Sequence, residues 1–172
     1  MHIIIDVYNL IRRSARFSAL DRQDLQVGRE ALVDALAAYK KIKAFQITVV
    51  FDGTAAGPGL PHRDKLKGIV VHYSRHGETA DAVIKRMARS QRQKITVVSS
   101  DLDIAGYAAA NGAGVISAEE FENRMLMAQL MDADGVAESD SSAEHPLSTK
   151  KKGPARRTSR RQRKMQRKIG KL

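Results

Sequence analysis

The chain contains no cysteine, which excludes disulfides and thiolate metal sites and agrees with a reducing cytosol. No stretch approaches the ~20 consecutive apolar residues that a membrane-spanning helix needs. The amino terminus runs directly into branched apolar residues, without the basic region and long apolar stretch of a secretory leader. These absences lead us to expect a soluble, cytoplasmic protein with no membrane partner. A further absence is local. Lys150 to Leu172 holds no acidic and no aromatic residue, against 12 Lys/Arg. The other 149 residues carry 18 basic and 19 acidic side chains, a net charge of −1, so the formal +11 belongs to the tail.

What is present reads as one α/β domain followed by polar chain. "HIIID" (His2 to Asp6), "QITVVFD" (Gln46 to Asp52), "GIVVHYS" (Gly68 to Ser74) and "KITVVSSD" (Lys94 to Asp101) are short β-branched runs, with "GVISA" (Gly114 to Ala118) a weaker fifth. Strands apolar on both faces point to a parallel sheet covered by helices on each side. Helices are expected over 24–44, with Leu25, Leu32, Leu36 and Tyr39 on one stripe, over 79–91, over 102–111 and over 119–131. Residues 1–131 are therefore the expected domain, 132–149 an acidic, Ser-rich linker, and 150–172 a basic tail. Neither of the last two has the apolar content to offset its ordering entropy, and we expect the tail to be disordered.

The acids fall in a pattern. In open parallel sheets, ligands bind beyond the carboxyl ends of the strands. Asp6, Asp52 and Asp101 each end an expected strand, Asp81 lies in the first turn of the helix after the third, and Asp103 is two residues past Asp101. Carboxylates packed together repel, and burial raises the cost; a divalent cation relieves both. All-oxygen ligands suit Mg²⁺ or Mn²⁺, which can activate water against a phosphodiester. This reading requires the strands to be neighbours. A haloacid-dehalogenase-like phosphatase would need a second Asp two residues after the first, where this chain has Tyr8. "SSDLD" also matches a metal-binding DxD, a reading that leaves the other strand-end acids unexplained.

"IIIDVYNLI", "VVFDG", "GETADAVIKRM" and "VVSSDLDIA", in this order and spacing, resemble the YacP-like branch of the NYN domain, among the PIN-like nucleases. The resemblance covers residues 1 to 131. It implies a PIN-like three-layer domain whose five expected strands take the order 3-2-1-4-5, and a metal-dependent endoribonuclease acting on RNA. It further implies that Asp6 is the central ligand, that Asn9 supports it or touches a phosphate, and that Asp81 and Asp101 complete the pocket. Asp52 would be a ligand or an outer partner, and Asp103 a further candidate. Val7 stands where the family usually has Gly.

Each residue also has a plainer reading. Asp81 suits a helix dipole, Asp6 a helix cap, and Asp52 before Gly53 an Asp-Gly turn. Glu78 reads as an ordinary first-turn acid. His72 and His76 lack a third partner and read as solvated or structural. Arg63, Lys65 and Lys67, in a basic loop over 58–68, are candidate phosphate contacts, as are Arg12, Arg13 and Arg16. In the tail, Arg156, Arg157, Arg160 and Arg161 are candidates for RNA or for an RNA-rich particle such as the ribosome. The main rival function is a non-catalytic RNA-binding module of the same fold. Nothing in the sequence sets an oligomeric state.

Overall fold

The computed structural model describes residues 1–53 and 62–135. The tail, its four candidate arginines and its expected disorder lie outside the described residues, as does the first part of the basic loop.

A six-stranded sheet forms the middle layer. Its strands are β1 (His2–Asp6), β2 (Gln46–Phe51), β3 (Arg63–Leu66), β4 (Ile69–Tyr73), β5 (Ile95–Val98) and β6 (Gly114–Ile116). They lie in the order β3-β4-β2-β1-β5-β6, all parallel except β3, which pairs antiparallel with β4. Without β3, this is the order that the family resemblance implies. The helices are α1 (Val7–Arg13), α2 (Ala15–Gln23), α3 (Leu25–Lys43), α4 (Ala80–Gln91), α5 (Leu102–Ala110) and α6 (Ala118–Gly135). None of the described helices is long and apolar enough to cross a membrane.

Alternate residues of β1 face opposite layers, as the period of two in a strand demands. Ile3 and Ile5 pack with Leu10, Leu32, Leu36, Tyr39 and Phe121 from α1, α3 and α6. Ile4 packs with Val83, Ile84, Ile104 and Ala108 from α4 and α5. All three isoleucines are fully buried, each contributing about 1.5–3 kcal/mol to the core. Burial on both faces is why "HIII" is continuous instead of alternating.

Three expectations need correction. Residues 7–23, left unassigned from sequence, form two short helices joined at Ser14, which ends α1 and caps α2 by accepting from the Phe17 N–H at 3.1 Å. The stretch read as a basic loop contains β3, whose exposed "RDKL" completes a hairpin through Lys67 and Gly68. Both turn residues have positive φ, +50° and +83°, as a tight two-residue hairpin requires. The last helix extends four residues beyond 131, into the expected linker.

Gly53 is a close-approach position, not merely the second half of an Asp-Gly turn. Its N–H donates to Ser74 Oγ at 2.7 Å, and a Cβ there would sit 1.9 Å from the Ser74 carbonyl oxygen. Gly53→Ala should therefore lower stability by about 2–3 kcal/mol, measured by urea unfolding. An unchanged midpoint would show that the two backbones can separate freely.

Candidate metal and phosphodiester site

The chain runs outward from β1 through β2 to β4, then α4 carries it back to β5 on the other side of β1. The carboxyl ends of β1 and β5 thus flank the point where strand order reverses, where open parallel sheets leave a ligand crevice. Asp6 ends β1, Asp101 follows β5, and Asp81 lies in the first turn of the crossover helix α4.

Asp6 is only 6 % exposed. It caps α1 by accepting from the Asn9 N–H at 3.2 Å, and its other oxygen accepts from Ser99 Oγ at 3.0 Å. The Ser99 hydroxyl in turn accepts from the Asp101 N–H at 3.2 Å. The directions are therefore fixed: Asp101 N–H to Ser99 O–H to the Asp6 carboxylate. Asn9 Oδ1 accepts from the Ser100 N–H at 2.7 Å, pinning the β1–α1 corner to the β5–α5 corner a second time. Since that oxygen is occupied by a donor, the amide NH₂ of Asn9 is the group left to serve a phosphate.

Burial pushes the Asp6 carboxyl above its ordinary value of 3.8, against the stabilising Asn9 and Ser99 bonds. The negative charges of Asp81 and Asp101 push it in the same direction. Asp81 and Asp101 are themselves exposed. Asp101 also caps α5, its Oδ1 accepting from Asp103 N–H at 2.8 Å and Ile104 N–H at 3.1 Å. For Asp6 and Asp101, capping and site placement coincide, because a helix starting at a strand end puts its cap at the ligand edge.

The other candidates are dispersed. Asp52 stands just past β2, on the opposite side of β1 from β5, and is half-buried. Asp103 is ion-paired with Lys85, which also feels the charges of Asp81 and Asp101. Glu78 pairs with Arg86, which lowers its carboxyl pKa. Arg12 and Arg13 are exposed on α1; Arg12 lies 5.9 Å from the Tyr8 ring centroid and Arg13 is 3.6 Å from Glu119. Arg63 lies opposite His72, near the acid-bearing end of β4. The antiparallel course of β3 then carries Lys65 away from that end, and Lys67 in the turn pairs with Asp34. The basic stretch therefore does not line the acid edge as a whole.

Sequence reading missed Ser99, Ser100 and Glu119. Ser100 Oγ donates to Glu119 Oε2 at 2.7 Å and accepts from the Ala118 N–H at 3.0 Å, which brings a further acid to the edge. The signal was present in "VVSSD", where two hydroxyls directly follow the strand.

Among the described residues, no three His, Cys, Asp or Glu side chains stand close enough to hold a metal ion as placed. The donor set nevertheless fits a hard divalent cation in kind and charge. Its donors are oxygens, and cationic charge beside Asp6 would reverse the effect of Asp81 and Asp101.

The raised Asp6 carboxyl sets a pH dependence. Above pH 3.8 the unfolded chain releases this proton while the folded chain retains it, so this group's contribution to stability falls as pH rises through that window. Asp6→Asn should be more stable than wild type at neutral pH in chelator, with the advantage vanishing below the ordinary carboxyl value. Urea unfolding across pH checks this, and a pH-independent difference would contradict it.

Comparison with known proteins places this chain in a family. The YacP-like NYN domain model matches residues 3–168. The Bacillus subtilis (strain 168) protein curated as "Uncharacterized protein YacP" is 26% identical over 102 residues, 58% of this chain and 59% of that relative's length. The crystal structure of Rae1 (YacP) from Bacillus subtilis superposes with a TM-score of 0.67 at 23% identity, covering 80% of both chains. A mutant of the same protein gives a TM-score of 0.65 at 23% identity, over 79% of this chain and 81% of that one. The structural likeness supports the fold, and the family match spans most of the chain. The chain belongs to the YacP-like NYN domain family, a family of nuclease type.

Proposed function

We propose that this chain is a Mg²⁺- or Mn²⁺-dependent endoribonuclease whose centre is the acid edge around Asp6. The observation that carries this reading is a buried carboxylate at the strand-order reversal, with two further acids bearing on it. Such an arrangement is costly for folding alone, and a cation makes it useful.

Asp6, Asp81 and Asp101 would hold the ion, with Asp52 and Asp103 as outer candidates. Bound there, it supplies an activated water and offsets charge developing on the phosphate. Asp6 is held in one orientation by Ser99 and by the Asn9 N–H, so the carboxylate needs little rearrangement. The amide NH₂ of Asn9 orients a phosphate oxygen. Arg12, Arg13 and Arg63 contact the strand on either side, and Lys65 and Lys67 lie further along its path. Arg156, Arg157, Arg160 and Arg161 supply sequence-independent affinity for RNA, including RNA on a ribosome, in a cytoplasmic setting.

The test is cleavage of labelled single-stranded and structured RNAs with Mg²⁺ or Mn²⁺. Asp6→Asn and Asp81→Asn should each lower the rate by at least ~10²-fold. Ser99→Ala, which removes only an orienting bond, should cost roughly 10- to 100-fold. Equal rates for wild type and both Asn variants would contradict the reading. Binding without cleavage under any metal would favour the non-catalytic RNA-binding module.

Ending the chain at Gly135 should preserve the acid site and weaken RNA affinity. If half of the tail's 12 cations meet phosphates, the full chain loses on the order of 10³-fold affinity between 50 and 200 mM salt. The shortened chain should show a much shallower salt dependence by fluorescence anisotropy. An unchanged slope would contradict the tail's role.

A further inference from the structure

The chain has only four Phe and four Tyr, and no Trp. Three of those eight rings gather beside the acid edge. Tyr8 lies two residues after Asp6, Phe51 directly precedes Asp52, and Tyr73 is the register partner of Phe51 at the end of β4. Phe51 and Tyr73 stack with centroids 5.5 Å apart at 27°, and Tyr8 meets Phe51 edge-on at 6.5 Å. The Arg29 guanidinium stands 5.4 Å from the Phe51 centroid, and its Nη2 donates to Tyr8 Oη at 2.6 Å.

Phe51 and Tyr73 line a cavity of about 350 Å³ between α3 and the β2–β4–β3 edge. Phe51, Tyr73, Leu66 and Val33 supply its apolar wall, and the half-buried Arg29 its cationic side. A core cluster would be closed by packing. Here Tyr73 is only half-buried and Leu66 is 44 % exposed, so part of the apolar wall faces solvent. The polar rim is paired within itself. Gln26 Nε2 donates to Glu30 Oε1 at 2.7 Å, and Lys67 pairs with Asp34. Donors and acceptors satisfied in this way are poorly suited to reading a base edge. An aromatic wall accepts any base by its face.

We propose that this cavity is a stacking subsite for one unpaired nucleobase of the RNA strand that crosses the acid edge. The inference rests on the reading of that edge as an RNA-cleaving site. It deepens that reading by specifying a substrate with an unstacked base beside the cleaved phosphate, without base choice at that position. Tyr73 forms the outer stacking face, and Arg29 carries positive charge behind it. Phe51 and Tyr73 stand at the carboxyl ends of β2 and β4, the same sheet edge that carries Asp6, so a strand crossing that edge meets the near end of the cavity, while Leu66 and Lys67 line its far end. A duplex, whose bases are already stacked and paired, would present none to the cavity.

The experiment uses full-length protein carrying Asp6→Asn, which keeps the RNA intact, and single-stranded RNAs with 2-aminopurine at successive positions. Stacking should quench fluorescence at one position and leave the rest bright. Tyr73→Leu should remove that quenching and weaken binding about tenfold, whereas Tyr73→Phe should retain both. Leu66→Glu, a surface change that leaves the core intact, should also remove the quenching by placing a charge on the wall. Quenching that survives Tyr73→Leu and Leu66→Glu would overturn the assignment. Equal quenching of the free 2-aminopurine nucleotide would replace the strand subsite with a mononucleotide pocket. Cleavage is read separately in the wild-type background. Quenching without cleavage therefore sinks the nuclease reading alone, and cleavage without quenching sinks the stacking subsite alone.

Discussion

A desolvated carboxylate at the end of the central strand is the constraint on which the rest of the structure turns. Ile3, Ile4 and Ile5 of β1 are fully buried between β2 and β5 and between two helical layers, so Asp6 leaves the sheet where water is scarce. Backbone and hydroxyl donors hold it, yet burial and two neighbouring acids still keep its carboxyl proton-hungry. The strand order reverses beside β1, and the return helix α4 carries Asp81, whose charge bears on Asp6. Fold and site thus share one cause, which is the placement of the first strand in the middle.

The hydroxyls of Ser99 and Ser100 convert that placement into a defined geometry. Ser99 joins Asp101 to Asp6, and Ser100 links its own corner to Asn9 and Glu119. Bonds to charged groups in a partly dry environment strengthen one another, so the corners of β1 and β5 behave as a unit. Lys85, paired with Asp103, sits at the outer margin and tempers the negative charge there. Asp103 is thus engaged by Lys85 although it is only two residues from Asp101.

Much of the fold was legible because its causes are local. Doubly buried strands leave continuous β-branched runs, and the long helices α3 and α4 show their stripes. Helices α1 and α2, of seven and nine residues, are too short to display a period, and a single Ser14 serves both as stop and as cap. β3 was not legible because "RDKL" is exposed along its whole length, and only pairing with β4 makes it a strand. The acids could be named from their places at strand ends. Their separation could not, because the distance between strand ends depends on the sheet order and on side-chain partners such as Ser99 and Lys85.

As proposed above, Asp6, Asp81 and Asp101 share one divalent cation. Paramagnetic broadening of backbone amide NMR signals by substoichiometric Mn²⁺ tests it most directly, without any RNA present. Loss of the Asn9, Ser99, Asp101 and Ala82 signals first, reversed by Mg²⁺ and absent in Asp6→Asn, is the predicted result. Broadening centred on other acids, such as those along α6, or uniform weak broadening unaffected by Asp6→Asn, would contradict it.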